Sequence, residues 1–189
     1  MNNLFVIIEG PDNVGKTTLI KNIKNHYNDY FLHELHYSNV KQDKDKVQEY
    51  STKLYHQMFN LMFQSTIHEK FGFIVDRSHL GEMVYGPIYR NYSGEFVLDI
   101  ERSYHHILDF WNDVYLITLY DSPENLIKRD DGLSFSIDNN IKQKEIDNFL
   151  NAHRLSTIKH KLLINIEYND EKQTINKAID FIQEVKNGK

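Results

Sequence analysis

The chain has 189 residues, 40% of them apolar and 26% charged, and a formal net charge of −5. This composition suits one globular domain rather than a disordered tail, and no apolar run approaches the roughly 20 residues that cross a bilayer. The acidic balance argues against a duplex nucleic-acid binder, and the absence of cysteine excludes disulfides, thiolate metal sites and a cysteine nucleophile.

The first ten residues carry no basic, cleavable leader pattern, so a cytoplasmic location is expected. Residues Leu4 to Ile8 (LFVII) are short, apolar and β-branched, the signature of a strand buried on both faces of a parallel sheet. From Lys16 the pattern turns helical, with Leu19, Ile20 and Ile23 on one face. A second extended stretch is expected near Leu35–Ser38. A long helix over Asp45–Lys70 follows, its stripe built from Val47, Leu54, Met58, Leu61 and Met62.

The next strand runs from Phe71 to Val75 and ends on Asp76. Two helices are expected after it, at His79–Asn91 and Phe96–Trp111, separated by Ser93-Gly94. Val114–Tyr120 is the next strand. Ser122-Pro123-Glu124 reads as a helix start, because Ser caps, Pro fills the first helical position and Glu complements the positive end. That helix ends near Arg129, and the polar stretch Asp130–Asn140 reads as a loop. A helix at Ile141–His160, a strand at Leu162–Ile166 and an amphipathic helix at Glu171–Val185 complete the chain. Alternating strands and helices predict a single α/β domain over 1–189: a five-stranded parallel sheet with helices on both faces. Ligands of such sheets sit beyond the C-terminal strand ends.

Residues 10–17, GPDNVGKT, match G-x-x-x-x-G-K-[ST] between a strand and a helix. In this loop Gly10 and Gly15 let the backbone curl so that N–H groups point at phosphate oxygens. The helix N-terminus adds its dipole. Lys16 supplies a point charge and the Thr17 hydroxyl a Mg²⁺ ligand. Asn13, Val14 and Thr18 complete the candidate ATP contacts. The ten histidines show no zinc-binding spacing.

With the preceding acid, the segment Glu9 to Thr18 resembles the phosphate loop of thymidylate kinases, and Asp76-Arg77-Ser78 is similar to their D-R-Y/H segment. Tyr115–Arg129 is similar to their fourth strand, Pro-containing turn and lid-proximal helix. Ser78 and the pair Phe63-Gln64 also resemble the related deoxynucleoside kinases, and His79–Arg90 is similar to phage-encoded proteins of this superfamily. The resemblance implies a P-loop kinase fold with a small lid at about 129–141, and ATP-dependent, Mg²⁺-dependent transfer to a small nucleotide acceptor such as dTMP.

By this resemblance Lys16, Asp76, Arg77, Arg129 and Glu9 would be catalytic. Arg77 would grip the acceptor phosphate, and Thr17 and Asp76 would serve the metal. Asp12, Phe63, Gln64, Arg77, Tyr85 and Arg90 would bind the acceptor. Tyr85, Phe63 and Tyr89 fit ordinary core packing equally well. The chain departs from the pattern in having Asn13 where some relatives carry a basic residue, and in a lid whose one obvious arginine is Arg129; Lys128, Lys142 and Arg154 are further candidates. A homodimer through the long helix is expected. The alternatives are a deoxynucleoside kinase with Glu9 as general base, a kinase of a modified base or DNA end, and a nucleotide-binding regulatory protein without transfer activity.

Overall fold

The computed structural model describes residues 3–37, 44–107 and 111–188. Five strands, β1 (Leu4–Glu9), β2 (Phe31–His36), β3 (Phe71–Asp76), β4 (Val114–Tyr120) and β5 (His160–Asn165), form one sheet in the order β2-β3-β1-β4-β5. All neighbours pair in parallel, with Ile8 opposite Asp76 on one side and Ile117 on the other. The helices are α1 (Lys16–His26), α2 (Lys44–Gln64), α3 (Gly81–Tyr85), α4 (Phe96–Ser103), α5 (Pro123–Lys128), α6 (Asn139–Leu155) and α7 (Glu171–Lys186).

β1 is the central strand and is buried along its whole length. Its side chains alternate between two cores, as the period of two in a strand requires. Phe5 and Ile7 join Met58 and Phe59 of α2 and Ile100 of α4 on one face. Leu4, Val6 and Ile8 join Leu19, Ile20 and Ile23 of α1 and Ala178 and Ile182 of α7 on the other. Each of these Val, Leu, Ile, Met and Phe side chains contributes about 1.5–3 kcal/mol on burial. Connections leave β1 towards β2 on one side, then cross back from β3 to β4 on the other. The reversal lies beside β1, which opens a crevice beyond its C-terminal end.

The structure shifts several predicted boundaries. β2 occupies Phe31–His36 rather than Leu35–Ser38, and Ser38 lies outside the described residues. As an edge strand it carries no continuous apolar run, so its pattern is weak. The long helix ends at Gln64 in a short 3-10 turn, Ser65–Ile67. The helix expected at His79–Asn91 is one turn of α3 followed by a π turn, Gly86–Arg90, with Pro87 early in that turn. The helix expected to reach Trp111 ends at Ser103, and residues 108–110 are outside the described set. α6 begins at Asn139, capped by Asp138, and stops at Leu155. α7 opens with a capping box made by Asp170 and Gln173.

The apolar stripe of α2 does not form a free dimer face. Val47, Met58 and Met62 are buried within the chain's own core, together with Tyr55 and Phe59; of the predicted stripe, Leu61 points out. No described helix is long and apolar enough to cross a membrane.

Candidate active site

The loop after β1 curls tightly over the sheet. Gly10 has φ of +142°, and a Cβ there would lie 2.3 Å from the carbonyl oxygen of Leu119 on β4. Only glycine fits. Gly15, at φ +93°, precedes the first turn of α1. Lys16 is buried, and its ammonium donates to the carbonyls of Gly10 at 2.9 Å and Pro11 at 2.7 Å. Burial, reinforced by the nearby Arg77 cation, pulls its pKa down to about 8 against the opposing pull of Asp12, Asp76 and Glu9.

Asp76 and Arg77 arrive at the neighbouring strand end. One Asp76 oxygen contacts His36 Nδ1 at 3.0 Å, while Oδ1 is buried without a hydrogen-bond partner. Arg77 has φ of +62°, a left-handed conformation that costs a non-glycine residue of order 1 kcal/mol. Its N–H reaches Ile8 O at 3.1 Å, and its guanidinium pairs with Asp12. Its buried Nε has no partner. Burial disfavours the guanidinium charge, but Asp12 and its other neighbours outweigh that and hold the pKa above its ordinary value.

Glu9 turns away from this cleft. Its Oε1 accepts from the Ser78 N–H at 2.8 Å and the Ser78 hydroxyl at 2.6 Å. Oε2 is buried and unpartnered, and burial raises the Glu9 pKa against the Ser78 hydrogen bonds and nearby cations. The buried chain continues from Ser78 Oγ to His79 Nδ1 at 3.1 Å, and from His79 Nε2 to Glu101 at 2.7 Å. Glu101 also accepts from Ser156 and Thr157. Burial raises its pKa, but these donors outweigh that and the carboxyl lies below its ordinary value.

Three cavities adjoin this centre. The largest, about 530 Å³, is lined by Asp12, Lys16, Thr17, Asp76, Arg77 and Arg129 together with Leu133 and Phe135 of the loop after α5. A second, about 190 Å³, lies between the phosphate loop and the segment after β5, with Val14, Leu19, Ile166, Asn169 and Ile175 in its walls. A third, about 80 Å³, is bounded by Tyr37, Tyr55, Tyr85, Arg77, Arg90 and Phe135. Glu82, fully buried, aims this wall: it accepts from Ser51, Tyr55 and Arg90 at 3.1, 3.3 and 2.9 Å, and from Tyr92.

The loop 130–138 folds against the phosphate loop. Asn13, at φ +64°, donates through Nδ2 to Asp130 at 3.0 Å and Ser134 at 3.1 Å. Arg129 is held by Asp121, whose side chain is buried. Lys142 does not supply a lid cation. It is fully buried and paired with Glu145 at 3.0 Å, whose other oxygen accepts from Tyr89. Arg154 instead donates to Asn151 on its own helix.

Of the sequence-predicted residues, Asp12, Lys16, Thr17, Asp76, Arg77 and Arg129 converge on the large cleft, with Tyr85 and Arg90 on the small cavity beside it. Glu9 lies underneath. Asn13, Gly15 and Thr18 line both the cleft and the second cavity, with Val14 in the second alone. Phe63 and Gln64 are not brought there. Both are exposed at the C-terminal end of α2, whose next turn meets Asn3 at the start of β1, the opposite end of the sheet. Tyr37, Tyr55 and Phe135 take the aromatic positions instead. These three, together with Glu82 and Asp121, carried no local signal, since nothing in a helical or loop pattern tells which residues meet at a distant strand end.

No protein-family model matches the chain, and no curated protein matches it. Solved structures do match. The YorR protein of Bacillus subtilis, in complex with phosphorylated GDP, superposes with a TM-score of 0.65 at 19% identity, covering 98% of each chain. Thymidylate kinase from Candida albicans gives 0.57 at 13% identity, covering 100% of this chain and 94% of that one. Deoxyadenosine kinase from M. mycoides with bound dATP gives 0.57 at 16%, covering 95% and 100%. With its parallel five-stranded sheet and its phosphate loop at the end of the central strand, the chain has the P-loop kinase fold.

Proposed function

We propose that the protein is an ATP-dependent phosphotransferase that moves the γ-phosphate to a deoxynucleoside monophosphate. The observation that carries this reading is the position of Arg77. It lines both the cleft over the phosphate loop and the small aromatic cavity, the place where an acceptor phosphate would meet a donor phosphate. Its planar fork suits bidentate phosphate contact, and its buried Nε has no partner within the protein.

In this reading the adenine and ribose of ATP occupy the cavity walled by Val14, Leu19 and Ile175. The loop N–H groups and Lys16 hold the phosphates, with the Lys16 ammonium leaving its two loop carbonyls for phosphate oxygens. Thr17 and Asp76 line the same cleft, and Asp76 keeps one buried oxygen without a hydrogen-bond partner; a hydroxyl and a carboxylate are hard oxygen donors, a set that fits Mg²⁺. Bound there, Mg²⁺ supplies neutralisation of phosphate charge. Arg129, fixed by Asp121, adds a cation at the boundary between the first and second cavities. Arg90, oriented by Glu82, faces the acceptor base and favours one with carbonyl acceptors on its edge.

Glu9 supports a monophosphate acceptor over a hydroxyl. One oxygen of its carboxylate is held by Ser78, the other is buried, and the residue is not part of the cleft wall, so no base is aimed at a hydroxyl proton. A monophosphate oxygen is already ionised and needs none. A deoxynucleoside kinase is the second reading. It is favoured by the raised pKa and unpartnered Oε2 of Glu9, and it requires Glu9 to turn into the cleft.

The test is an ADP-release assay with Mg-ATP and a panel of deoxynucleosides, their monophosphates and a short DNA oligonucleotide. Turnover with a monophosphate, lost by at least 100-fold in Lys16→Ala and Arg77→Ala, is expected. Turnover with nucleosides alone, abolished by Glu9→Gln, would select the second reading. Tight ATP binding without any turnover would overturn both and leave a regulatory protein.

A further inference from the structure

Arg77 and Phe135 line both the phosphate cleft and the small aromatic cavity. Arg77 is the polar link between the two spaces, and Phe135 is their apolar partition. Phe135 belongs to the loop 130–138, which contains three aspartates and no lysine or arginine. Such a segment adds no positive charge to a triphosphate. What it brings to the cleft wall is the Asp131 carboxylate and the apolar surface of Leu133 and Phe135.

The Phe135 ring stacks on Tyr89 at 5.0 Å and leans on Tyr85 at 5.5 Å. Yet the residue is 60% exposed. Around it, Tyr55, Ser78 and Tyr85 are buried and fixed in the core. The cavity they share with Phe135 is about 80 Å³, less than half of the 190 Å³ of the cavity given to the adenine and ribose. A nucleotide base enters only if a wall moves, and the exposed loop residue is the wall with least packing to lose. Tyr85, in the wall of this cavity, also keeps a buried hydroxyl without a hydrogen-bond partner.

We propose that Phe135 is an acceptor-operated door. With no acceptor it occupies the mouth of the small cavity on the Tyr85–Tyr89 stack. When a planar base enters, Phe135 moves aside and stacks on it, closing the acceptor off from water. The motion reaches the phosphate loop through Ser134 and Asp130, both bonded to Asn13. Acceptor occupancy therefore shapes the cleft that holds ATP and limits transfer to water. This inference rests on the phosphotransferase reading and adds a specificity residue to it.

The experiment compares wild type, Phe135→Ala, Phe135→Tyr and Ile137→Ala, the last a control at an exposed position of the same loop outside all three cavities. Acceptor KM and kcat are measured with dTMP, dGMP, dAMP and dCMP, together with ATP hydrolysis without acceptor and ATP affinity by calorimetry. Loss of one aromatic stack is expected to raise acceptor KM about tenfold in Phe135→Ala. Acceptor-free hydrolysis rises several-fold while ATP affinity stays within about twofold. Phe135→Tyr restores both values, and Ile137→Ala matches wild type. Wild-type turnover with KM and hydrolysis unchanged in Phe135→Ala would overturn the door alone. A wild type that binds ATP but neither binds nor phosphorylates any nucleoside or nucleotide would overturn the phosphotransferase reading and the door with it.

Discussion

Ser78 gives both its backbone N–H and its hydroxyl to a single carboxylate oxygen of Glu9, at 2.8 and 2.6 Å. Two adjacent strand ends, β1 and β3, are tied by this contact one residue beyond Arg77. The clamp explains how Arg77 holds a left-handed backbone without relaxing away from the cleft. Ser78→Ala removes the hydroxyl and leaves the N–H bond. It is expected to cost about 1–2 kcal/mol, lowering Tm by roughly 2–8 °C in a chain of this size. Acceptor KM should rise while ATP affinity holds. Calorimetric unfolding and steady-state kinetics check both; equal losses in ATP and acceptor binding would contradict the assigned role.

His79 and Glu101 form a fully buried pair whose carboxylate also takes bonds from Ser156 and Thr157. Removing one partner of such a pair leaves the other group buried and uncompensated, at about 3–5 kcal/mol. Glu101→Ala is therefore expected to be far more destabilising than a surface change such as Glu49→Ala, whose ion pair with Lys53 is exposed. Denaturant midpoints of the two variants make the comparison.

Asn13 ties the loop 130–138 to the phosphate loop while occupying a positive φ. Glycine accepts that φ without strain, so Asn13→Gly removes the tether and keeps the backbone. Hydrogen exchange of amides in 130–136 should accelerate by about tenfold or more, and global stability should change by only about 1 kcal/mol. Unchanged exchange in that segment would mean that the loop is held elsewhere.

Burial, with Lys161 nearby, lowers the pKa of His153 to about 4. Its Nδ1 contacts the Thr118 hydroxyl at 2.9 Å. An unfolded histidine titrates near 6.5. Between these values the unfolded chain binds a proton that the native imidazole refuses, so this residue makes stability fall as pH drops from about 6.5 towards 4. Above 6.5 it contributes no slope. His153→Gln should flatten that part of the Tm–pH curve relative to wild type; identical slopes would count against it.

Arg90 depends on Glu82 for its direction. Glu82→Gln retains the shape but weakens the charge-assisted bond, and acceptor discrimination should narrow by roughly tenfold as Arg90 loses its fixed pose. Ratios of kcat/KM across the four monophosphates measure this.

The amino-acid sequence determined what local chemistry determines. LFVII is buried on both faces because a central parallel strand has two cores to satisfy. GPDNVGKT curls because its glycines reach backbone angles barred to other residues. Val114–Tyr120 appears with the predicted boundaries because an apolar, β-branched run has no competing pattern. Edge strand β2 and the π turn at Gly86–Arg90 were blurred, one for lack of an apolar run and the other because helical periodicity cannot reveal a change of hydrogen-bond register. Only the tertiary structure decided that Phe63 and Gln64 sit at the far end of the sheet, that Tyr37, Tyr55 and Phe135 surround the small cavity, and that Glu9 faces Ser78 rather than the cleft. These are contacts between residues up to about one hundred positions apart, set by strand order and crossover, which no local pattern encodes.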